Sequence, residues 1–397
     1  LTHKNGTLWH AFIQDPPETF GYAYHIKRNS SKSLLENIVD PYAKWILSDH
    51  KWHASSRKKN TYQPIGKVFR DRFDWENDQS PNIAKKDLVI YEMHVRGFTA
   101  HASSKVNTPG TFKGVIEKIP HLIELGINAV ELMPIQEFNE EEAININPQT
   151  QQKLHNYFGY STVNFFSPMN RYATDSRMAA QELKVLVKEL HRNKIEVILD
   201  IVFNHTFEGN ENGPIVTFKA LDAPAYYLIN SENKFLNYSG CGNTFNCNHP
   251  YAREFIISVL RYWVIEYHID GFRFDLAAIF NRGKEGSPIE NAPLMELLSS
   301  DPVLSSKKLI AEPWDGNGLY QLGKFAATDE VWLEWNASFQ NSVRHFIKGS
   351  SNYKKSFAEA LSGSSDIFKT SPSCSINYVT SHDGFTLIDP LSEKTSL

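Results

Sequence analysis

A (β/α)8 TIM barrel, truncated before its eighth strand and preceded by a small antiparallel β region, is the fold class this sequence predicts. Three observations carry that expectation. From residue 86 onward, short apolar runs alternate with amphipathic stretches of helical period, the pattern of βαβ units and a parallel sheet. Seven such strand-like runs occur before the chain reaches residue 397, one short of the eight that close a β/α barrel. Residues 1–80 show no such alternation, only short runs bounded by turn residues.

In that first region, Leu8-Trp9-His10-Ala11-Phe12-Ile13 and Gly21-Tyr22-Ala23-Tyr24-His25-Ile26 alternate and are flanked by Asp-Pro, Gly or Asn signals, as short antiparallel strands do. Residues 70–86, from Arg70 to Lys86 with Pro81 and many charges, read as a linker. The first barrel strand falls at 88–95. Residues 114–125 follow with Val115, Ile116, Ile119, Leu122 and Ile123 at helical spacing. A strand is expected at 129–134. Residues 179–192 make an amphipathic helix with Leu183, Leu186, Val187 and Leu190 on one face. Strands at 195–203 and 271–276 bracket a helix at 250–267, and further strands fall at 309–313, 331–335 and 376–381. No internal repeat or low-complexity segment interrupts the series.

Composition narrows the function. A formal net charge of −4 argues against a nucleic-acid surface, which needs a basic excess. No apolar run approaches the roughly 18 residues of a membrane span. Three cysteines do not make a disulfide scaffold. The 8 Trp, 17 Tyr and 25 Phe supply flat rings that suit sugar faces, although most rings serve a core. The chain opens at Leu1 without Met and without the basic and apolar regions of a signal peptide, as a piece of a longer parent does.

Four segments end predicted strands in polar or charged residues: Asp200-Ile201-Val202-Phe203-Asn204-His205, Gly271-Phe272-Arg273-Phe274-Asp275, Ile310-Ala311-Glu312-Pro313-Trp314 and Tyr378-Val379-Thr380-Ser381-His382-Asp383. The C-terminal ends of barrel strands are where such barrels build active sites. Asp275, Glu312 and Asp383 would converge there, although a single Asp ending a strand is often only a turn or helix cap. Arg273 and Asp275, two apart on a strand, point to one face. A guanidinium there keeps the carboxylate ionised and orients it. Pro313 and Trp314 give Glu312 a partly apolar setting that favours a protonated carboxyl.

These four segments, in this order, resemble the conserved regions of the α-amylase family of glycoside hydrolases. Tyr91-Glu92-Met93-His94-Val95-Arg96-Gly97-Phe98-Thr99, Asn156-Tyr157-Phe158-Gly159-Tyr160-Ser161-Thr162, Phe207-Glu208-Gly209-Asn210 and Cys241-Gly242-Asn243-Thr244-Phe245-Asn246-Cys247-Asn248 are similar to its isoamylase and glycogen-debranching branch. The resemblance covers nearly the whole chain. It implies a partial β-sandwich of the glucan-binding type at 1–80 and a C-terminally incomplete catalytic barrel at 86–397. It further implies a retaining hydrolase of α-1,6 branch linkages in glycogen, limit dextrin or a starch-like glucan. Asp275 would be the nucleophile, Glu312 the general acid and base, and Asp383 a holder of sugar hydroxyls in the distorted ring. His205 and His382 would hydrogen-bond sugar hydroxyls, Tyr160 would stack on the sugar, and Asp200 would support Arg273.

No cofactor is expected. Many α-amylases hold a calcium ion through an Asn beside the first-region His and a second His four residues after the nucleophile. Here Asn204 is present but the second position is Ile279, which cannot ligate a hard cation. Cys241 and Cys247 flank a short loop and could form a disulfide or a metal pair, but their spacing fits no zinc pattern and favours a reduced loop-packing pair. Two rival readings share these residues: an α-1,4-acting or transferring member of the family, and a non-catalytic glucan-binding subunit, whose mark would be a lost nucleophile or acid. Bacterial cytoplasm or plastid stroma suits a disulfide-poor chain acting on stored glucan. An unclosed barrel leaves an open edge, so a chain ending at Leu397 is expected to aggregate in isolation, and a monomeric, cooperatively melting preparation would contradict this.

Overall fold

The computed structural model describes residues 3–6, 8–27, 34–47, 64–68, 71–143, 145–326, 331–384 and 386–389. Leu1, Arg70 at the start of the expected linker, and the chain end at Leu397 lie outside the described residues.

Seven strands form one parallel sheet: β1 (Ile90–Met93), β2 (Ala129–Leu132), β3 (Glu196–Ile201), β4 (Gly271–Phe274), β5 (Lys308–Ala311), β6 (Trp332–Trp335) and β7 (Ser375–Ile376). Each pairs with the next in chain order, from β1 at one edge to β7 at the other. Side chains alternate across a strand, and the packing follows that period. Val130, Leu132, Val197, Leu199, Phe272, Phe274, Leu309 and Trp332 join the large core shared with the helices. Ala129, Ile198, Ile310, Leu333 and Trp335 form a second cluster on the other face, inside the curl of the sheet. On that inner face the columns of β2, β3 and β5 run from an apolar residue toward a polar one: Ala129 then Glu131, Ile198 then Asp200, Ile310 then Glu312. The bottom of the half-barrel is therefore greasy and its top is charged.

The two long helices stand where the sequence places them, at Ala179–Arg192 and Pro250–Tyr267. Their ends carry local signals. Pro250 occupies the first turn, where a missing N–H costs nothing, and His249 caps it through Nδ1. Two expectations need correction. The stretch 114–125 is not one helix but two, Phe112–Glu117 and Ile119–Glu124, joined at Lys118 with φ −100° and ψ 2°. Pro120 has no N–H to give the Ile116 carbonyl and its ring crowds that oxygen, so a continuous helix breaks there. The strand expected at 376–381 shrinks to Ser375–Ile376. Beyond Ile376 the chain leaves the sheet, and the His382 N–H bonds the Glu92 carboxylate rather than a neighbouring strand.

The N-terminal region comprises small antiparallel sheets: His3–Asn5 with Leu8–His10, Tyr24–Lys27 with Leu34–Ile38, and Ile65–Val68 between Phe20–Tyr22 and Ile46–Leu47. Backbone bonds from Val39 to Val216 and from Ile46 to the Ser167 hydroxyl tie it to the half-barrel. The charged linker is also bound down. Asp71 pairs with Lys184 at 2.7 Å and Glu76 with Lys188 at 2.8 Å, both on the helix Ala179–Arg192.

At the foot of that helix His191 sits between two buried carboxylates, Asp78 of the linker at 3.1 Å and Asp270 before β4 at 2.9 Å. Burial alone would lower the His191 pKa, but Asp270 and Asp78 outweigh it and the net direction is upward. Burial likewise pushes Asp270 up, and His191 more than offsets this, leaving it depressed. The His191 contribution is complete below its unfolded value of about 6.5 and is lost as pH rises through the raised folded value. The Asp270 contribution is complete above about 3.9 and is lost as pH falls through the depressed one. His191→Gln is therefore expected to destabilise the fold by about 3 kcal/mol near pH 5–6, with the gap narrowing as pH rises above about 6.5. Thermal or urea melts across that range check this, and a gap independent of pH would contradict it.

Candidate active site

The charged end of the inner face is organised by one side chain. Arg273, at the end of β4, is fully buried. Its register partner on β3 is Asp200, whose two oxygens lie 3.0 and 3.1 Å from Nη1. The same Nη1 donates to Asp275 Oδ1 at 3.0 Å. Nη2 lies 3.0 Å from Glu312 Oε2, an ion pair without hydrogen-bond alignment. The guanidinium face stacks 4.2 Å from the Trp335 ring. Three carboxyl groups from three neighbouring strands thus share one cation.

Asp275 receives a second donor, Asn204 Nδ2, at 2.6 Å on Oδ2, and its oxygens remain partly open to solvent. Leu276 follows with φ +44°, a left-handed conformation that a bulky residue adopts only under constraint. The constraint is visible: the Leu276 N–H donates to Glu312 Oε2 at 2.7 Å, and the Ala277 N–H donates to the Glu312 carbonyl at 2.9 Å. The turn after Asp275 is stitched onto the end of β5, which fixes one carboxyl against the other.

Burial pushes the Glu312 carboxyl up to about 8, against the pull of Arg273 and with help from Asp275. With Oε2 taken by donors, the proton belongs on Oε1. Asp200 is raised to about 6 by burial, again opposed by Arg273. The Tyr160 hydroxyl donates to Asp200 Oδ2, and burial holds that phenol well above its ordinary range, a neutral donor.

His205 is buried with both ring nitrogens on protein oxygens, Asn204 Oδ1 at 2.6 Å and the Tyr160 carbonyl at 3.1 Å. Burial lowers its pKa; both oxygens are acceptors, so a neutral ring donates to only one of them, and the Nδ1–H form orients Asn204 toward Asp275. His382 stacks on Tyr160 with centroids 4.7 Å apart. Asp383 stands apart: its side chain is 73% exposed, and its carboxylate lies 3.6 Å from His382 Nε2. The structure thus gathers Asp200, Arg273, Asp275, Glu312, Tyr160, His205 and His382 at one place, with Asp383 at the rim.

Two residues of the cluster carry no role in the sequence reading, and a third, Asn204, was weighed there only against a calcium site. Glu92 on β1 binds His382, Asn204 binds Asp275, and Glu131 on β2 is a fully buried carboxyl raised well above its ordinary range by burial and by Asp200. Glu92 and Glu131 are the inward polar positions of their strands, so strand parity was the signal that marked them.

Glu92, Asp200 and His382 each place a donor atom within 4.8 Å of the others. Those donors are already committed, Glu92 to His382 and Asp200 to Arg273 and Tyr160, and the adjacent guanidinium opposes a cation, so the set does not fit a metal. Cys241 and Cys247 are free thiols, one exposed and one buried.

Comparison with known proteins gives a consistent result. The family model "Alpha amylase, catalytic domain" matches residues 67–214. The chain is 44% identical over 422 residues to "Isoamylase 1, chloroplastic" of Arabidopsis thaliana, covering 98% of this chain and 54% of the relative. It is 38% identical over 412 residues to the "Glycogen debranching enzyme" of Enterobacter sp. (strain 638), covering 98% and 61%. The crystal structure of pullulanase from Paenibacillus barengoltzii in complex with maltohexaose and alpha-cyclodextrin superposes with a TM-score of 0.71 at 27% identity, over 89% of this chain and 56% of that one. The chain spans about half the length of the first of these relatives. With near-complete coverage by relatives of one kind, and the charged ends of β3, β4 and β5 drawn onto one guanidinium, the chain belongs to the α-amylase family and is similar to its isoamylases and glycogen debranching enzymes.

Proposed function

We propose that this chain carries the catalytic centre of a retaining glycoside hydrolase that cleaves α-1,6 branch linkages of glycogen, limit dextrin or a starch-like glucan. The observation that carries the reading is the pair Asp275 and Glu312 on one buried guanidinium. Sharing Arg273 keeps the two carboxyls close, as double displacement requires; in retaining enzymes such pairs stand about 5–5.5 Å apart.

In the first step an Asp275 oxygen attacks the anomeric carbon while Glu312 Oε1 gives its proton to the glycosidic oxygen. The C–O bond breaks, the chain that carried the branch leaves with a free 6-hydroxyl, and an ester joins the branch sugar to Asp275. In the second step the Glu312 carboxylate takes a proton from water, the oxygen attacks the same carbon, and the ester breaks with retained configuration. Asp275 faces two donors, Arg273 and Asn204, which hold it without occupying every lone pair. Asp383 at the rim and His382 behind it bind sugar hydroxyls, and the Tyr160 ring packs against the same sugar. Asp200 and His205 support Arg273 and Asn204, and His205 reaches a hydroxyl by exchanging the Tyr160 carbonyl for it.

Branch specificity rests on the relatives, whose names are isoamylase, glycogen debranching enzyme and pullulanase. The partner is a branched α-glucan, and the antiparallel sheets of residues 1–80 serve as part of a glucan-binding module beside the barrel at 86–397. Bacterial cytoplasm or plastid stroma is the setting. Among the described residues no helix is long and apolar enough to cross a membrane.

Reducing-end release from glycogen and from linear amylose tests the reading directly, using the full-length protein and its Asp275→Asn variant. Release from glycogen, little from amylose and none from the variant is expected. Equal release from both substrates moves the activity to α-1,4 bonds, and none from either leaves a glucan-binding role. A second expectation concerns pH. Since burial holds the Glu312 proton up to about 8, kcat/KM falls on the alkaline side with an apparent pKa near that value. Glu312→Gln removes that limb and lowers kcat by roughly 10²–10⁴-fold, and an alkaline limb that survives in the variant would assign the proton to another group.

A further inference from the structure

The edge strands β1 and β7 share no ladder, and a cavity of about 450 Å³ lies between them, lined in part by Ile90, Glu92, Glu131, Trp335 and Tyr378. Glu92 reaches the segment beyond β7 with both oxygens. Oε2 accepts the main-chain N–H of His382 at 2.7 Å, and Oε1 accepts from His382 Nδ1 at 2.7 Å. The ring cannot turn away, because it is stacked on Tyr160, whose hydroxyl lies 3.3 Å from the same Nδ1.

We propose that Glu92 is a positioning residue for the glycosidase reaction, fixing His382 as the Nδ1–H form so that Nε2 alone faces the sugar. The inference deepens the hydrolase reading and rests on it. The argument is one of donors and acceptors. A carboxylate has only acceptors, so both hydrogens must come from His382, one from the backbone and one from Nδ1. Nε2 then points toward the open rim, 3.6 Å from Asp383 Oδ2, and it is the nitrogen left for substrate. When the ring is protonated, Nε2–H becomes a charged donor to a sugar hydroxyl oxygen; in the neutral Nδ1–H form Nε2 accepts from that hydroxyl, a bond that strengthens as the oxocarbenium-like ring makes the hydroxyl more acidic.

The groups facing the ring set that charge. Burial lowers the His382 pKa, but Glu92 on β1, followed by Asp200 on β3, outweighs both the burial and the nearby Arg273 on β4, and the net direction is upward. Asp383 beside it and the Tyr160 hydroxyl complete the surroundings.

Glu92→Gln is a sharp test because an amide has one acceptor and one donor. With the Gln oxygen kept by the fixed backbone N–H, its NH2 group faces Nδ1, which must then accept. The neutral ring switches to the Nε2–H form and its imidazolium loses a carboxylate partner. Histidine ¹⁵N NMR of the free protein reads this, with His382→Asn used to assign the signal. The expected result is an Nδ1–H ring in wild type. In Glu92→Gln the expected result is an Nε2–H ring whose pKa is lower by about 1–3. Glu92→Asp, which keeps the charge, is expected to retain the Nδ1–H form and covers the case in which the Gln variant does not fold. Hydrolysis measured in parallel is expected to show kcat reduced in Glu92→Gln by about tenfold or more with little change in KM, and partial recovery in Glu92→Asp. An unchanged tautomer and pKa in Glu92→Gln would overturn the proposal. A tautomer switch in a protein that hydrolyses no glucan would instead overturn the hydrolase reading, so the two failures are separable.

Discussion

The arrangement depends on one buried cation serving three carboxyls, two of them buried and one at the open end. Taking Arg273 out of water is costly, and it is tolerated because Asp200, Asp275 and Glu312 surround it. The count is unequal, and the inequality has chemical content. A single positive charge does not offset three negative ones in a low-dielectric site, so at least one carboxyl keeps its proton. Glu312 is the most deeply enclosed of the reacting pair and is the one held up to about 8. Asp275 sits at the open end with two donors. Two groups of the same chemical type thus take opposite roles because their surroundings differ.

The fold makes that clustering possible by register. Asp200 stands opposite Arg273 in the β3–β4 ladder, and Glu312 lies just past the residues of β5 that pair with β4. Parity then sends all of them inward. The local strain at Leu276, with φ +44°, is sustained by two backbone donors anchored on Glu312. A smaller strain-free turn would leave the two carboxyls free to move independently. At the other side of the site, Glu92 ties the end of the chain's parallel series back to its beginning, across a separation of 290 residues.

Much of this was legible in the residues themselves. The helices Ala179–Arg192 and Pro250–Tyr267 were readable because period and end signals agree, Pro250 at one start and His191 and Arg192 at the other end. The strands were readable as apolar runs, though trimmed by a residue or more where pairing stops. The break at Lys118 was obscured because the apolar spacing continues through Pro120, and the backbone rule for proline overrides it. The strand at 376–381 failed for a different reason: whether an apolar run pairs depends on what lies beside it, and here the donor of His382 finds Glu92. In the site, the polar strand ends announced themselves through motif order. Glu92 and Glu131 did not, since their partners are distant in sequence and only the inward parity of their strands hints at them. Leu276 gave no signal at all, because leucine is a poor residue for a left-handed turn.

The division of labour around Arg273 can be tested by asking which carboxylate the sugar joins. A maltosyl fluoride needs no acid to leave, and a Glu312→Gln enzyme has no base to activate water, so the ester should accumulate long enough for digestion and mass spectrometry. An adduct on the peptide bearing Asp275 is the predicted result. An adduct on Asp200 or another carboxylate, or turnover without any adduct to a product of inverted configuration, would contradict the account.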